Sequence, residues 1–301
     1  MESGTGTALS GKVLRFAHLS DLHLPHEPHL KAAEHFSKRQ LSVWSWRRRR
    51  AVQRPEILES LRTELQIFRP DRIVVTGDIT NFSLPEEFSR ARQWLQGLPA
   101  PLSIVPGNHD ALVPVPEDVG LGQWSAWSTK GEWPYLHRQG RVSFIGLNSA
   151  LPTAPLLASG WLGAGQCARL AQLLREEGTD GQIRVVLLHH PVADGAVRAR
   201  KALRDRQELR AVLRGHGAEL VLHGHARNAR LDALPGPAGP IPCLCVPSSS
   251  AMPNPRDEAA RWHLVELPVA GGAWARVHVR QWSMAAAAFQ EVACYQLSVR
   301  N

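Results

Sequence analysis

Residues 101–110 read PLSIVPGNHD, a short apolar run that ends at a glycine and then delivers an amide, an imidazole and a carboxylate. Apolar runs of this length, bounded by glycine or proline, predict buried strands. Five further segments share the arrangement: KVLRFAHLSDLHL (12–24), DRIVVTGDITN (71–81), RVSFIGLNS (141–149), QIRVVLLHHP (182–191) and ELVLHGHARNAR (219–230). One predicted strand after another therefore ends in polar sequence.

Helical patterns separate these strands. Apolar residues recur at three- and four-residue spacing in PEILESLRTELQIF (55–68), PEEFSRARQWLQGL (85–98), GAGQCARLAQLLREEG (163–178) and ALRDRQELRAVLRGHG (202–217). After Ala229 come short strands of antiparallel character, IPCLCVPSSS, RWHLVELPV and AWARVHVRQW. The order predicts the α/β class, a layered β-sandwich of mixed sheets flanked by helices. We expect one domain over residues 1–301, to which the C-terminal strands of residues 251–301 belong.

Composition limits the compartment and the partners. The sequence has no run of about 18 apolar residues, which a membrane-spanning helix needs, and its first residues, MESGTGTALSGKV, lack the pattern of a secretion signal. Four cysteines are too few for a disulfide scaffold in a chain of this length. We therefore expect a cytoplasmic protein. The formal net charge of +8 favours anionic partners, such as phosphorylated substrates, nucleic acid or acidic lipid.

The polar residues at the strand ends form one set of donors. In chain order they are Asp21, His23, Asp78, Asn108, His109, Asp110, His189, His190, His223 and His225. Taken alone, each motif is more often a turn or a capping residue than a site. Because functional groups in such folds gather beyond the carboxyl ends of the strands, the set as a whole predicts a metal centre. Oxygen and imidazole donors suit Mn²⁺, Fe²⁺ or Zn²⁺.

This set resembles the motifs of the calcineurin-like metallophosphoesterases. The family's Asp-x-His, Gly-Asp, Gly-Asn-His-Asp/Glu, His and Gly-His-x-His are matched over residues 13–250 by Asp21-Leu22-His23, Gly77-Asp78, Gly107-Asn108-His109-Asp110, His189 and Gly224-His225. The resemblance implies two divalent ions. Asp21 and His23 would hold the first ion, and Asn108, His189 and His225 would hold the second. Asp78 would bridge both.

The resemblance also implies roles beside the ions. His109 would protonate the leaving oxygen, and Asp110 would orient the His109 imidazole. The residues themselves leave the choice between His189 and His190 as ligand open. By resemblance to the family's His-His-Pro loop we take His189 as the ligand and expect His190 near the substrate. The glycines at 77, 107 and 224 are expected to allow tight turns.

One position departs from the family pattern. Where the family has its last histidine, two residues after His225, this chain has Arg227, whose guanidinium cannot coordinate a metal. Two interpretations stay open. Either the first metal site lacks one ligand and is weak, or Arg227 binds substrate phosphate through its planar fork of donors.

A basic segment with two tryptophans follows the first motif. HFSKRQLSVWSWRRRRAVQR (35–54) places Trp44 and Trp46 directly before Arg47, Arg48, Arg49 and Arg50. Tryptophan and arginine together suit the headgroup region of a membrane, although the tryptophans can equally pack on the core. The segment resembles the insertion of metallophosphoesterases that cleave the pyrophosphate of UDP-diacylglucosamine. It predicts contact with an anionic membrane surface, on the inner face of the membrane.

The sequence thus predicts a hydrolase that cleaves a phosphodiester or pyrophosphate bond by attack of a metal-activated water. Two substrates compete: a nucleotide-linked lipid at the membrane surface, and a 3′,5′-cyclic nucleotide, as in the compact bacterial phosphodiesterases that the chain resembles. A nucleic-acid-binding protein would explain the positive charge but not the strand-end donors. A catalytically inactive scaffold is suggested by Arg227 alone.

Overall fold

The computed structural model describes residues 13–30, 36–49, 51–270 and 272–299. Within these ranges the strands form two six-stranded sheets, and helices cover the outer face of each. The prediction of an α/β sandwich of mixed sheets is confirmed.

The first sheet contains the N-terminal and the C-terminal strands. Its order is β12 (Ala288–Ser298), β11 (Trp274–Ser283), β10 (Arg261–Pro268), β1 (Val13–Leu19), β2 (Arg72–Val75) and β3 (Leu102–Ile104). Strands β1, β2 and β3 are parallel, whereas β10, β11 and β12 pair antiparallel. The pairing of β10 with β1 supports the prediction of a single domain, which stays a prediction.

The second sheet is built from the middle of the chain. Its order is β4 (Tyr135–Gln139), β5 (Val142–Gly146), β6 (Ile183–Leu187), β7 (Leu220–His223), β9 (Pro240–Cys245) and β8 (Arg230–Pro235). The antiparallel character expected for IPCLCVPSSS holds only on one side: β9 is antiparallel to β8 but parallel to β7. Residues 241–245 are continuously buried, as is typical of a strand inside a parallel sheet.

The helices are α1 (Lys38–Arg49), α2 (Pro55–Phe68), α3 (Pro85–Gln96), α4 (Gly163–Thr179) and α5 (Arg206–His216). Proline occupies the first turn of α2 and of α3, where its missing N–H costs no hydrogen bond. Helix α2 buries Ile57, Leu58, Leu61 and Leu65, which lie on one face at helical spacing.

Two kinds of apolar layer hold the sandwich together. Between the sheets, Phe16 of β1 meets Phe144 of β5 edge to face, with ring centroids 5.5 Å apart. Outside the sheets, α2 and α3 cover the first, and α4 and α5 cover the second. In this sandwich the parallel strands of both sheets have their carboxyl ends at the same edge.

Candidate metal centre

Each predicted ligand follows the end of a parallel strand. In chain order, β1 is followed by Asp21 and His23, β2 by Asp78, β3 by Asn108, β6 by His189 and β7 by His225. The structure brings all six together. Four of them come from the first sheet and two from the second.

Asp78 lies at the middle of the centre. Its Oδ2 is 3.9 Å from Nε2 of His23 and 3.4 Å from Nε2 of His189. Asp78 also belongs to two groups of three donors whose ligand atoms lie within 4.8 Å of one another, one with His23 and His109 and one with His189 and His225. This position suits the bridging role that the sequence assigned to Asp78.

The remaining donors divide between the two sides of Asp78. On one side, Nε2 of His23 is 4.0 Å from Oδ1 of Asp21. On the other, Nε2 of His189 is 3.3 Å from Oδ1 of Asn108 and 3.1 Å from Nδ1 of His225. The donors are therefore more closely gathered on the His189 side.

Backbone carbonyls fix the three ligand imidazoles. Nδ1 of His23 faces the carbonyl of Thr80 at 3.3 Å, and Nδ1 of His189 faces that of Thr76 at 2.7 Å. Nε2 of His225 faces the carbonyl of Lys201 at 3.1 Å. Because a carbonyl only accepts, each of these nitrogens carries a proton, so the other ring nitrogen is the one directed at the centre. The donors thus fit divalent metal ions in both chemistry and orientation.

The backbone around the centre lies in the left-handed region. The φ angles are +48° at Asp21, +43° at His23, +52° at Asp78, +67° at His225 and +64° at Arg227. Each such non-glycine conformation costs free energy and persists only where the surroundings impose it. Their concentration at the strand ends is typical of a functional site.

The glycines in the loops after the strands have two effects. They permit tight turns, and they let neighbouring loops approach each other closely. Gly77 has a φ of +98°, and a Cβ there would lie 2.6 Å from the backbone nitrogen of Gly107. A Cβ at Gly224 would collide with the hydroxyl of Ser20 and come within 2.6 Å of Oδ2 of Asp21. Side chains at these positions would separate the loops that carry the ligands.

Asp78 and His189 form a mutually stabilised buried pair. Burial disfavours ionisation of Asp78, but the charges of His189 and His109 hold its pKa well below the usual value. Burial likewise disfavours protonation of His189, yet the carboxylate of Asp78 raises the pKa of His189 to about 9. By contrast, burial and the neighbouring His190 and His189 depress the pKa of His225.

His109 lies beside the donors and is partly exposed. Its backbone N–H donates to Oδ1 of Asp78 at 2.7 Å, and its ring lies edge-on to that of His23, with centroids 4.9 Å apart. Nδ1 of His109 is 2.8 Å from the carbonyl of Asn81. This carbonyl orients the imidazole.

The Asp110 carboxylate has backbone partners of its own, and its expected role in orienting His109 stays a prediction. The Asp110 carboxylate accepts from the backbone of Ile79, Thr80 and Gly107, at 3.0, 2.8 and 2.8 Å, and from the Thr80 hydroxyl at 2.9 Å. It joins the loop after β2 to the loop after β3. Burial and the charge of Asp78 raise the pKa of Asp110 to about 7.

Contact of His190 with substrate also stays a prediction. The His190 ring is fully buried, with Nδ1 2.8 Å from the hydroxyl of Ser149 and Nε2 3.2 Å from the carbonyl of Ala158. Its ring centroid is 4.7 Å from that of His225. His190 therefore packs against the His225 ring, whereas His189 lies among the donors.

Two cationic side chains lie close to the centre. Nη1 of Arg227 pairs with Oδ1 of Asp257 at 3.3 Å, and the Arg227 side chain stays partly exposed. Burial, followed by the charge of Arg227, lowers the pKa of Lys201 to about 8, while Asp78 and Asp21 act in the opposite direction. The sequence gave no signal for Lys201, because it stands in a short turn without any motif.

Helix α1 packs beside the centre. Nε of Arg39 donates to the carbonyl of Phe82 at 3.0 Å, and the Trp46 ring lies edge-on to Phe82 at 5.9 Å. Trp44 is exposed, as is Arg47. Of the two tryptophans predicted to reach a membrane, Trp46 packs on the protein instead. Arg50 and the side chains of Arg48 and Arg49 lie outside the described residues.

The model of a family described as calcineurin-like phosphoesterase matches residues 14–226. The chain belongs to this family. It is a hydrolase of phosphoric esters, and membership implies divalent metal ions, for which the two groups of donors around Asp78 are the candidate sites. No helix among the described residues has both the length and the apolar character needed to cross a membrane.

Two curated relatives of this phosphoesterase are named as cyclic nucleotide phosphodiesterases. A probable enzyme of this kind from Synechococcus is 28% identical over 212 residues, which cover 69% of this chain and 76% of the relative. A 3′,5′-cyclic-nucleotide phosphodiesterase from Nostoc is 30% identical over 173 residues, which cover 56% of this chain and 58% of the relative.

Solved structures share the fold. A dimetal phosphatase from Danio rerio aligns with a TM-score of 0.60 at 13% identity, over 96% of this chain and all of that one. A purple acid phosphatase from yellow lupin aligns with a TM-score of 0.61 at 11% identity, over 95% of this chain and 54% of that one.

Proposed function

We propose that this phosphoesterase is a metal-dependent phosphodiesterase. The observation that carries the proposal is the single Asp78 oxygen that faces oriented donors on both sides. Asp21, His23 and Asp78 would hold one divalent ion, and Asp78, Asn108, His189 and His225 would hold the other. Bound there, the ions would supply an activated water and offset the charge of the phosphoryl oxygens.

His109 is the proposed general acid. Its ring is partly exposed, and the Asn81 carbonyl fixes the orientation of Nδ1. The His109 backbone N–H donates to the Asp78 carboxylate, which keeps this residue beside the centre. His109 can therefore deliver a proton to the oxygen that leaves phosphorus.

We propose a cyclic nucleotide as the diester. The names of the Synechococcus and Nostoc relatives support this choice. Arg227 and Lys201 add positive charge near the centre, to which a phosphoryl group would be attracted.

The test is hydrolysis by purified protein that has been stripped of metal and resupplied with Mn²⁺. The substrates are bis-p-nitrophenyl phosphate, p-nitrophenyl phosphate and a 3′,5′-cyclic nucleotide. We expect metal-dependent cleavage of both diesters, and its loss in Asp78→Asn. Cleavage of the monoester alone would contradict a phosphodiesterase, and no cleavage at all would favour the inactive scaffold.

A nucleotide-linked lipid is the second candidate, because exposed apolar side chains lie next to the centre. Trp44 of α1 is 55% exposed, and Leu156 and Trp161 are 75% and 52% exposed. The ammonium of Lys38 joins the two segments by donating to the Thr153 hydroxyl at 2.6 Å and to the Leu157 carbonyl at 2.9 Å. Together with exposed Arg47, this surface suits the headgroup region of an anionic membrane.

Flotation with liposomes of an anionic phospholipid tests the second candidate. We expect Trp44→Ala to weaken binding at low salt while leaving cleavage of soluble bis-p-nitrophenyl phosphate unchanged. Trp274→Ala is the matched control, because Trp274 is 53% exposed but lies at the opposite end of the first sheet. Equal effects of the two substitutions, or no flotation of the wild type, would overturn the membrane proposal.

A further inference from the structure

A second cluster of metal-binding side chains lies on the hairpin of β11 and β12. The ligand atoms of His278, Glu291 and Cys294 lie within 4.8 Å of one another. His278 is opposite Leu264 of β10, which in turn pairs with Ala17 in the middle of β1. The cluster therefore lies two strands away from β1, and it is level with the middle of β1 rather than with the strand ends that carry Asp78 and the other proposed ligands.

The strand register places the three side chains on one face. His278 and Cys294 are direct partners in the antiparallel pair, so their side chains point to the same side. A β-bulge then shifts the register, so that Arg280 pairs with Glu291 instead of Val292. Because Arg280 and His278 are two residues apart on one strand, the bulge turns Glu291 toward the face of His278.

Contacts within the cluster fit metal binding. Nδ1 of His278 is 3.0 Å from Oε2 of Glu291. Nε2 of the same ring is 3.7 Å from Oε2 of Glu266, a carboxylate that also lies 3.6 Å from Arg15 and 3.7 Å from Arg276. A metal-bound imidazole commonly donates its second N–H to such a carboxylate, which fixes the ring.

We propose that His278, Glu291 and Cys294 bind a zinc ion. A thiolate, an imidazole and a carboxylate are the side chains that zinc prefers, and a water completes the tetrahedral shell. In such a shell the ligand atoms are about 3.5 Å apart, so the observed cluster needs only side-chain rotation to close. Glu291 and Cys294 are exposed and accessible to an ion from solvent.

The site joins β12 to its neighbour. Strand β12 is at the edge of the first sheet, where hydrogen bonds on one side alone hold it. An ion held by side chains of β11 and β12 cross-links the two strands at the bulge, where the ladder is interrupted. The ion would therefore stabilise the hairpin, and it has no part in hydrolysis.

Cobalt substitution separates this site from the phosphoesterase centre, because the proposed ligands of that centre include no thiolate. Co²⁺ added to the metal-free full-length protein is expected to give a thiolate-to-cobalt charge-transfer band in the near ultraviolet. The band is expected to vanish in Cys294→Ser and in His278→Ala. It should remain in Gln296→Ala, an exposed position two residues along the same strand. Hydrolysis of bis-p-nitrophenyl phosphate should be unchanged in all three.

A second measurement uses the wild-type protein, so its result does not depend on whether a substituted chain folds. Zn²⁺ is expected to slow alkylation of Cys294 by iodoacetamide at least tenfold, as located by peptide mass spectrometry. An absent cobalt band, a band that survives Cys294→Ser, or equal alkylation with and without Zn²⁺ would each overturn the proposal.

Discussion

The two halves of the phosphoesterase centre differ in how completely they are built. On the His189 side, imidazole and amide donors converge at 3.1 to 3.4 Å around Nε2 of His189. On the His23 side, the corresponding separations are 3.9 and 4.0 Å, and Arg227 stands where the family has a histidine. One half is thus more closely organised for coordination, whereas the other has fewer donors at longer separations.

We propose that cationic side chains take over part of the role of a metal ion in this centre. Lys201 interacts electrostatically with Asp78, Asp21 and Arg227, and Arg227 pairs with Asp257. A side chain that keeps its charge attracts a phosphoryl group without a bound ion. We therefore expect the ion on the His189 side to bind more tightly than the ion on the His23 side.

The largest effect is expected at the residue that both halves share. Asp78→Asn should lower diester hydrolysis by at least about 10⁴-fold and remove metal from both halves, because the bridging carboxylate serves each. Elemental analysis and turnover are the measurements. Asp180→Asn is the control, since that carboxylate pairs with Arg138 and precedes β6, at the other end of the strand from His189. Retention of full metal content by Asp78→Asn would contradict the shared ligand.

Removal of the proposed acid should leave both halves intact. His109→Gln is expected to lower turnover by about 10²- to 10⁴-fold at unchanged metal content. The loss should shrink for a diester with a good leaving group, because such a group departs without a proton. Equal losses across a series of leaving groups would argue against the acid role.

Substitution of one ligand on each side tests the asymmetry directly. His225→Asn and His23→Asn should each weaken metal binding, by at least about tenfold. Activity of His23→Asn should recover at high Mn²⁺ concentration, whereas His225→Asn should stay impaired because the better organised half is lost. Titration of activity with Mn²⁺ measures both. The reverse order of recovery would show that the His23 side holds the tighter ion.

Buried histidines show what carboxylates contribute to the centre. His189 and His263 are both buried, but burial and the charge of Arg261 lower the pKa of His263 to about 3, far below that of His189. Below pH 6.5 the unfolded chain therefore binds more protons at His263 than the folded chain does. The contribution of His263 to the free energy of unfolding is fully present above that pH and falls as the pH drops. The free energy of unfolding of the wild type should fall between pH 7.5 and pH 5.5, and about 1.4 kcal/mol of that fall should be absent in His263→Leu. Urea unfolding at both pH values measures the difference, and an unchanged difference would contradict the pKa shift.

The smallest effect is expected at Arg227. Arg227→Ala should weaken substrate binding by about fivefold, since a partly exposed charge contributes about 1 kcal/mol. Arg227→His should weaken it as much but raise metal content per chain, because an imidazole restores the family's ligand. Michaelis constants and elemental analysis separate the two outcomes. Wild-type behaviour of Arg227→Ala, with two ions already bound, would mean that another residue completes the His23 side.

The sequence predicted the inner strands and the edge strand β3, and it missed the other three edge strands. Strands β4, β8 and β12 were not predicted, and each lies at an edge of its sheet. Their residues are largely exposed, as in Arg230–Pro235, so the apolar pattern that marks a strand is weak. The inner parallel strands are mostly buried and gave clear signals.

The ligands were predictable because each directly follows such a strand. Their supports were not, because the carbonyls of Thr76, Thr80 and Asn81 carry no side-chain signal. The partners of Asp110 were not predictable for the same reason: adjacency to His109 suggested a side-chain contact, whereas the structure shows its carboxylate accepting from backbone N–H groups across two loops. Only the folded chain shows which neighbour in space each group meets.

The ligands come from two separate sheets, and this has a thermodynamic consequence. Asp21, His23 and Asp78 all extend from the first sheet, whereas Asn108 and His189 face each other from opposite sheets. An ion on the His189 side would therefore hold the two sheets together, in addition to apolar contacts such as that of Phe16 with Phe144. An ion present at 100 times its dissociation constant adds about 2.7 kcal/mol to the free energy of unfolding. Chelators would then act on this protein as mild denaturants, loosening the sandwich as well as stopping the reaction.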